Sequence, residues 1–264
     1  MGYLMYLTKQ MIREALTNVQ AFEHELDNLF ASYDYSLRDN LGRRNALCSQ
    51  AQEKELAKVL SETFECVTQD GAPGKPDIYI GEINKELECK LTSGNRSSSV
   101  SYSLQTDWAT LQKKGSLDYL YVLCDKEFEK FCVLYFKDLT TDDFYPPASG
   151  SRGKSRMKKT EAMKKCICLH GEYSIQNEKF INNYSSLIKD LHANNLEKIK
   201  TQQQKYFESG DNAFLAKNKI KTLKINLAAK TEKQISSLNK KIDNWRSKDS
   251  RFTFTLKSLD SFDV

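Results

Sequence analysis

The sequence predicts a mixed α/β fold: a mixed central sheet flanked by helices, with a basic, mostly helical C-terminal portion. Three observations predict it. Apolar residues recur at helical spacing over residues 9–32, then give way beyond Phe64 to short alternating runs. Two runs, 119–124 and 131–136, are apolar enough to be strands covered on both faces. Beyond residue 180 the spacing becomes helical again and the segment is rich in lysine.

The elements follow in chain order. Residues 9–32 place Ile12, Ala15, Leu16, Val19, Phe22, Leu26, Leu29 and Phe30 on a helical face, and a loop at 38–42 leads to a second helix over 44–63. The segment 69–76 is dense in turn residues and opens into strands at 77–80 and 86–91. A loop at 94–99 precedes a short helix over 104–114, followed by the two apolar strands. Residues 142–159, with Pro146 and Pro147 and several Gly and Ser, read as a loop. Helices are expected over 181–207 and 212–247, and the alternation at 251–257 suits an edge strand. The expected organisation is one domain, 1–264, made of a helical arm (1–40), a core (41–140) and a basic portion (141–264).

Composition excludes several classes. With 264 residues, 39% hydrophobic, 13 Phe and 13 Tyr, the chain has the means to bury a core and is not a disordered composition. Four Pro and 11 Gly exclude a collagenous protein, and no apolar run is long enough to cross a bilayer. The first ten residues show no secretory pattern, and Tyr6 stands where a myristoylation signal needs Ser or Thr. Seven scattered cysteines suit reduced thiols, so a cytoplasmic protein without membrane attachment is expected. Charge is unevenly spread. Residues 1–150 hold 16 Lys and Arg against 23 Asp and Glu, whereas 151–264 hold 24 against 12. An acidic half joined to a basic half points to a polyanionic partner met by one face.

Chemistry concentrates at Pro76-Asp77 and Glu88-Cys89-Lys90. Strand alternation puts Glu88 and Lys90 on one face and Leu87, Cys89 and Leu91 on the other. A hairpin with an even-numbered loop adds Asp77 to the Glu88 face. Two carboxylates so placed form a hard-oxygen site suited to Mg²⁺, and the neighbouring ammonium can orient a water or stabilise charge at a phosphate.

This spacing resembles the PD-(D/E)xK nuclease superfamily: Pro76-Asp77, ten intervening residues, then Glu88-x-Lys90, followed by a helix and an apolar strand in that family's ββαβ order. The resemblance covers about residues 45–125 and implies a restriction-endonuclease-like sheet. It further implies Mg²⁺-dependent hydrolysis of double-stranded DNA leaving 5′-phosphates, with Asp77 and Glu88 on the metal and Lys90 at the water. Glu53 looks like the carboxylate that the family often adds from the preceding helix, with Glu55 fitting less well. Gln105, opening the helix expected at 104–114, resembles a polar position sometimes used near the site. A type II restriction endonuclease acting as a homodimer on a palindromic site is the expected protein. A repair or recombination nuclease with the same core, and a non-catalytic DNA-binding module, remain as alternatives.

The densest basic segment is 150–159. Arg152, Lys154, Arg156 and Lys158 sit among Gly and Ser that allow close approach to phosphates, and Arg can fork onto guanine edges. The same segment half-matches a phosphate-binding loop at Gly153-Lys154-Ser155, without the first glycine. Cys166-x-Cys168-x-His170 lines one strand face with no evident fourth metal ligand, so core thiols are the better reading. Trp108 and Trp245 are expected to pack, and His24 and His192 lack a neighbouring nucleophile.

Overall fold

The structure, a computed structural model, describes residues 5–72, 74–94, 102–151, 153–210, 213–247 and 252–262. It is mixed α/β, as expected. The chain divides into two compact units, Met1–Ser174 with Phe252–Val264, and Ile175–Arg251, where the sequence reading drew one domain.

Helix α1 (Lys9–Ala31) begins where the Thr8 side chain accepts a hydrogen bond from the Met11 amide, 3.1 Å away. Its Ile12, Ala15, Leu16 and Val19 are buried and pack into the core. Helix α2 (Leu41–Ser61) starts three residues earlier than the apolar spacing suggests, because Asn40 caps the Arg43 amide at 3.1 Å. Its Leu56, Val59 and Leu60 close over the same core.

The central sheet holds strands β1 (Val67–Thr68), β2 (Ile78–Ile80), β3 (Lys85–Ser93), β5 (Ser116–Cys124), β6 (Lys130–Thr140) and β11 (Lys257–Ser258) in that spatial order. Strand β8 (Cys166–His170) also pairs with β6. In this sheet, among the described residues, β3 and β5 run parallel and the other pairs are antiparallel. A parallel pair needs a crossover, and α3 (Trp108–Lys114) lies in the connection between them. One face of the sheet, including Leu87, Cys89, Leu120, Val122, Val133 and Tyr135, packs into a single core with α1 and α2. On β5 the intervening residues Tyr119 and Tyr121 stack at 5.8 Å, and Phe136 meets Tyr121 edge-on.

Two short ribbons complete this unit. Strand β4 (Gln105–Asp107) pairs with β7 (Lys154–Arg156), and β9 (Glu172–Ile175) pairs with β10 (Phe252–Thr255). The first ribbon corrects two expectations. Residues 104–107 are not helical: Asp107 caps α3 by accepting from the Thr110 amide at 2.9 Å, so the helix cannot start before Trp108. Nor is 142–159 all loop, since it contains β7 and a Phe144–Met157 bridge that buries both side chains. A short helix, α4 (Lys159–Ala162), follows.

The second unit is formed by α5 (Gln176–Glu208) and α6 (Ala213–Ser247). They run antiparallel: Asn177 donates to the Trp245 carbonyl near one end, and Asn195 to the Thr231 hydroxyl further along. Among the described residues no helix is long and apolar enough to cross a membrane.

A buried ion pair ties α1 and α2 to the β5–β6 turn. Arg44 Nη1 lies 3.3 Å from Glu23 Oε1, with both side chains fully buried. The guanidinium also donates to the carbonyls of Lys126 and Asp125 and lies over the Phe128 ring. Burial pushes the Glu23 carboxyl up, against the pull of Arg44. Removing one member strands the other, so Arg44→Met should cost about 3–5 kcal/mol in urea unfolding. Glu23→Gln should cost less, because Arg44 keeps its two carbonyls. An Arg44→Met protein that unfolds at the parent's midpoint would show that the pair ties nothing together.

Candidate active site

The site is set by the turn between β2 and β3. Residues 81–84 form that turn, with Asn84 in the left-handed region at φ 48°, and the register pairs Ile78 with Leu87 and Ile80 with Lys85. Continued by one residue, that register sets Asp77 opposite Glu88, on the same face. Asp77 Oδ2 accepts from the Cys89 amide at 2.7 Å, just past the last β2–β3 pair. Lys90 Nζ lies 2.8 Å from Glu88 Oε2 and 3.4 Å from Asp77 Oδ2. The expected Asp77–Glu88–Lys90 cluster is therefore assembled.

Glu53 comes from α2. Ala46, Ser49, Gln50 and Glu53 form one stripe of that helix and line a cleft of about 560 Å³ shared with Gln69, Gly71 and Asp77. Desolvation, then the Asp77 charge, pushes the Glu53 carboxyl up to about 7, against the opposing pull of Lys90 and a Gln69 hydrogen bond. Glu88 is also raised, by burial first, with Lys90 opposing and Asp77 adding. Burial pulls the Lys90 amine down, but the two carboxylates beside it outweigh that and hold it above its ordinary value. Glu55 is engaged elsewhere, accepting from Asn18 Nδ2 at 2.9 Å.

Carboxylate oxygens are the donors that Mg²⁺ takes. Two carboxylates share the Lys90 ammonium, with Glu53 near Asp77 in the same cleft, and the surplus negative charge is what a divalent cation would neutralise. Among the described residues no three His, Cys, Asp or Glu side chains are gathered closely enough to hold a metal already. Lys90 spans Asp77 and Glu88, so a cation would compete with its ammonium for those oxygens. Donor chemistry and charge fit the ion.

The other candidates fare differently. Gln105 lies on β4 and not at a helix start; its carbonyl accepts from the Tyr121 hydroxyl at 2.9 Å, and Tyr121 pairs with Lys90 across β3 and β5. Lys154 and Arg156 are exposed on β7 and make no ion pair among the described residues. Lys158 is tied down, donating to the Asp142 carbonyl at 3.0 Å and lying over the Tyr145 ring. Arg152 lies outside the described residues. Ser155 is in a strand, and the next helix, α4, opens only at Lys159, not at Ser155 as a phosphate loop requires. Cys168 Sγ faces the His170 and Gly171 carbonyls at 3.3 and 3.4 Å, and His170 stacks on Phe262, so both pack as structural groups. Trp245 stacks on Phe180 at 4.5 Å.

Sequence reasoning missed Tyr119, Tyr121, Thr106 and Gln69. Tyr119 pairs with Glu88 across the parallel strands, and its hydroxyl is 2.6 Å from Thr106 Oγ1. The alternation of 119 and 121 in step with 88 and 90 was the available signal, but it needs the strand pairing to be read.

The perturbed Glu53 gives a direct test by carboxyl NMR titration of the metal-free protein. Glu53 should titrate near 7, where an ordinary Glu does so near 4.5. Asp77→Asn should lower that value by removing a like charge. The folded state holds a proton that the unfolded chain releases near 4.5, so this group's contribution to stability is lost as pH rises from there through about 7. A Glu53 that titrates with the ordinary glutamates would remove it from the cluster.

No protein-family profile matches the chain and no characterised protein matches its sequence, so the reading of its function rests on this geometry.

Proposed function

We propose that this chain is a Mg²⁺-dependent endonuclease that cleaves double-stranded DNA at a defined sequence, in the manner of a type II restriction endonuclease, leaving 5′-phosphates. The observation that carries the reading is the Lys90 ammonium poised 2.8 and 3.4 Å from two carboxylates that strand register alone brings together. Asp77, Glu88 and Glu53 would hold the ion. Bound there, Mg²⁺ supplies positive charge for a phosphoryl oxygen and acidifies a water.

The chain's own groups take the remaining roles. An amine held above its ordinary value stays protonated at neutral pH, so Lys90 acts as a charge and hydrogen-bond donor, orienting a water or steadying the phosphate, and not as a base. Asp77 is fixed by the Cys89 amide, which limits its freedom to turn away. Exposed Lys154 and Arg156 supply positive charge for a DNA partner. A homodimer on a palindromic site is the simplest way to cut both strands. The seven cysteines are free thiols, which suits work in the cytoplasm beside the DNA.

Incubating the purified protein with plasmid and Mg²⁺ tests the reading. Discrete fragments support it, a smear or branch-specific nicking points to a repair nuclease, and intact plasmid points to binding alone. Asp77→Asn, Glu88→Gln and Lys90→Ala should each slow cutting about 1,000-fold or more, about 4 kcal/mol, with melting close to the parent's. Glu53→Gln should reduce the rate more than Glu55→Gln. A folded Asp77→Asn protein that cuts at the parent's rate would end the metal-nuclease reading.

A further inference from the structure

The β4–β7 ribbon brings together residues some fifty positions apart in sequence. Its register sets Gln105 opposite Arg156, Thr106 opposite Ser155 and Asp107 opposite Lys154. Alternation then sorts them. Thr106 and Ser155 are buried, whereas Arg156 and Lys154 are exposed and Gln105 is half-exposed, all on the outer face. The inner side is held to the sheet by two tyrosine hydroxyls: Tyr119 to Thr106 Oγ1 at 2.6 Å, and Tyr121 to the Gln105 carbonyl at 2.9 Å. Those tyrosines are the β5 neighbours of Glu88 and Lys90. The ribbon is thus anchored one strand away from the candidate catalytic cluster, with its outer face carrying an amide, a guanidinium and an ammonium.

We propose that this ribbon is the base-reading element of the protein, entering the major groove of duplex DNA with Gln105 and Arg156 as the reading pair and Lys154 on the phosphate backbone. The proposal rests on the nuclease reading above for its substrate. A two-stranded ribbon is one of the two elements that the major groove admits. Arg forks onto the O6 and N7 of guanine, and Gln onto the N6 and N7 of adenine. Directly opposed side chains on an antiparallel pair lie about 5 Å apart at Cβ, which suits neighbouring base pairs. Among the described residues the Gln105 amide makes one side-chain bond, Nε2 donating to Ser103 Oγ at 3.0 Å, which leaves it an edge for a base. Asp107, the one acidic group on the ribbon, is turned to its own helix cap. Lys154 and Arg156 make no ion pair within the described chain, so their charges await an external anion.

The experiment is a binding selection from a randomised duplex pool, with Ca²⁺ replacing Mg²⁺, for the full chain and for Gln105→Ala, Arg156→Ala, Arg156→Lys and Lys154→Ala. The parent should enrich fixed positions. Arg156→Ala should lose preference at one base pair by about 5- to 150-fold, and Gln105→Ala at a neighbouring one. Arg156→Lys should retain affinity but lose that preference, because it keeps the charge without the fork. Lys154→Ala should weaken all sequences alike and lower the slope of log K against log salt by about one. Unchanged preferences in both Gln105→Ala and Arg156→Ala, or no enriched position in the parent, would overturn the proposal. So would an Arg156→Ala that behaves like Lys154→Ala, since that marks a backbone contact. Cutting of plasmid in Mg²⁺ is scored separately. A protein that cuts while its ribbon variants keep their preference loses the ribbon and keeps the nuclease; one that binds selectively without cutting does the reverse.

Discussion

The β2–β3 register governs the rest of the structure. Because side chains alternate, a slip of one residue would carry Asp77 to the core face or expel Leu87 and Cys89 from it. The hydrophobic side makes that slip costly. Ile78, Ile80, Leu87 and Cys89 are all essentially buried, so the apolar face locks the pairing that the polar face then uses. The left-handed Asn84 closes the turn with four residues between the strands, which keeps the parity even. Core packing and site assembly are thus two consequences of one pairing.

The same alternation extends across the parallel β3–β5 pair. Where the core face carries Leu120 and Val122, the other carries Tyr119 and Tyr121 beside Glu88 and Lys90. Both tyrosines are nearly fully buried, and burial pushes both phenols well up, so their hydroxyls serve as donors and acceptors, not as charged groups. Buried hydroxyls need partners, and Thr106 and the Gln105 carbonyl supply them. The requirement to satisfy two phenols is therefore what docks the β4–β7 ribbon next to the carboxylates.

Much of this was legible in the sequence. Helical spacing located α1, and two apolar runs located β5 and β6, because burial on one or both faces leaves a periodic trace. The Asp77, Glu88 and Lys90 grouping was legible because it depends on local alternation and a short turn. The β4–β7 ribbon was not. Its strands are three residues each, too short for a periodic signal, and they pair across some fifty residues. The helix expected at 104 failed for a related reason: Leu104 fits either pattern, and only the Asp107 cap decides where the helix begins. Lys158 looked like a free cation because charge is visible in a sequence and the Asp142 carbonyl that holds it is not. The division at Ile175 likewise leaves no trace in composition, since lysine is frequent on both sides of it.

Electrostatics poses a final constraint on any phosphate-directed activity. A phosphodiester is an anion, and the Asp77 and Glu88 carboxylates, with Glu53 near them in the cleft, repel it. The protein lessens that charge in two ways. Lys90 bridges Asp77 and Glu88, and Glu53, raised to about 7, holds its proton over part of the neutral range. Neither suffices to attract DNA. The attraction has to come from elsewhere in the chain, and the exposed Lys154 and Arg156 lie on the ribbon beside the site, while α6 carries nine Lys and Arg against two Asp and Glu. On the nuclease reading this division of labour is useful. Basic surfaces bring the duplex in without a metal, and the acidic cluster admits a phosphate only when a cation comes with it, so binding and cutting are governed by different residues.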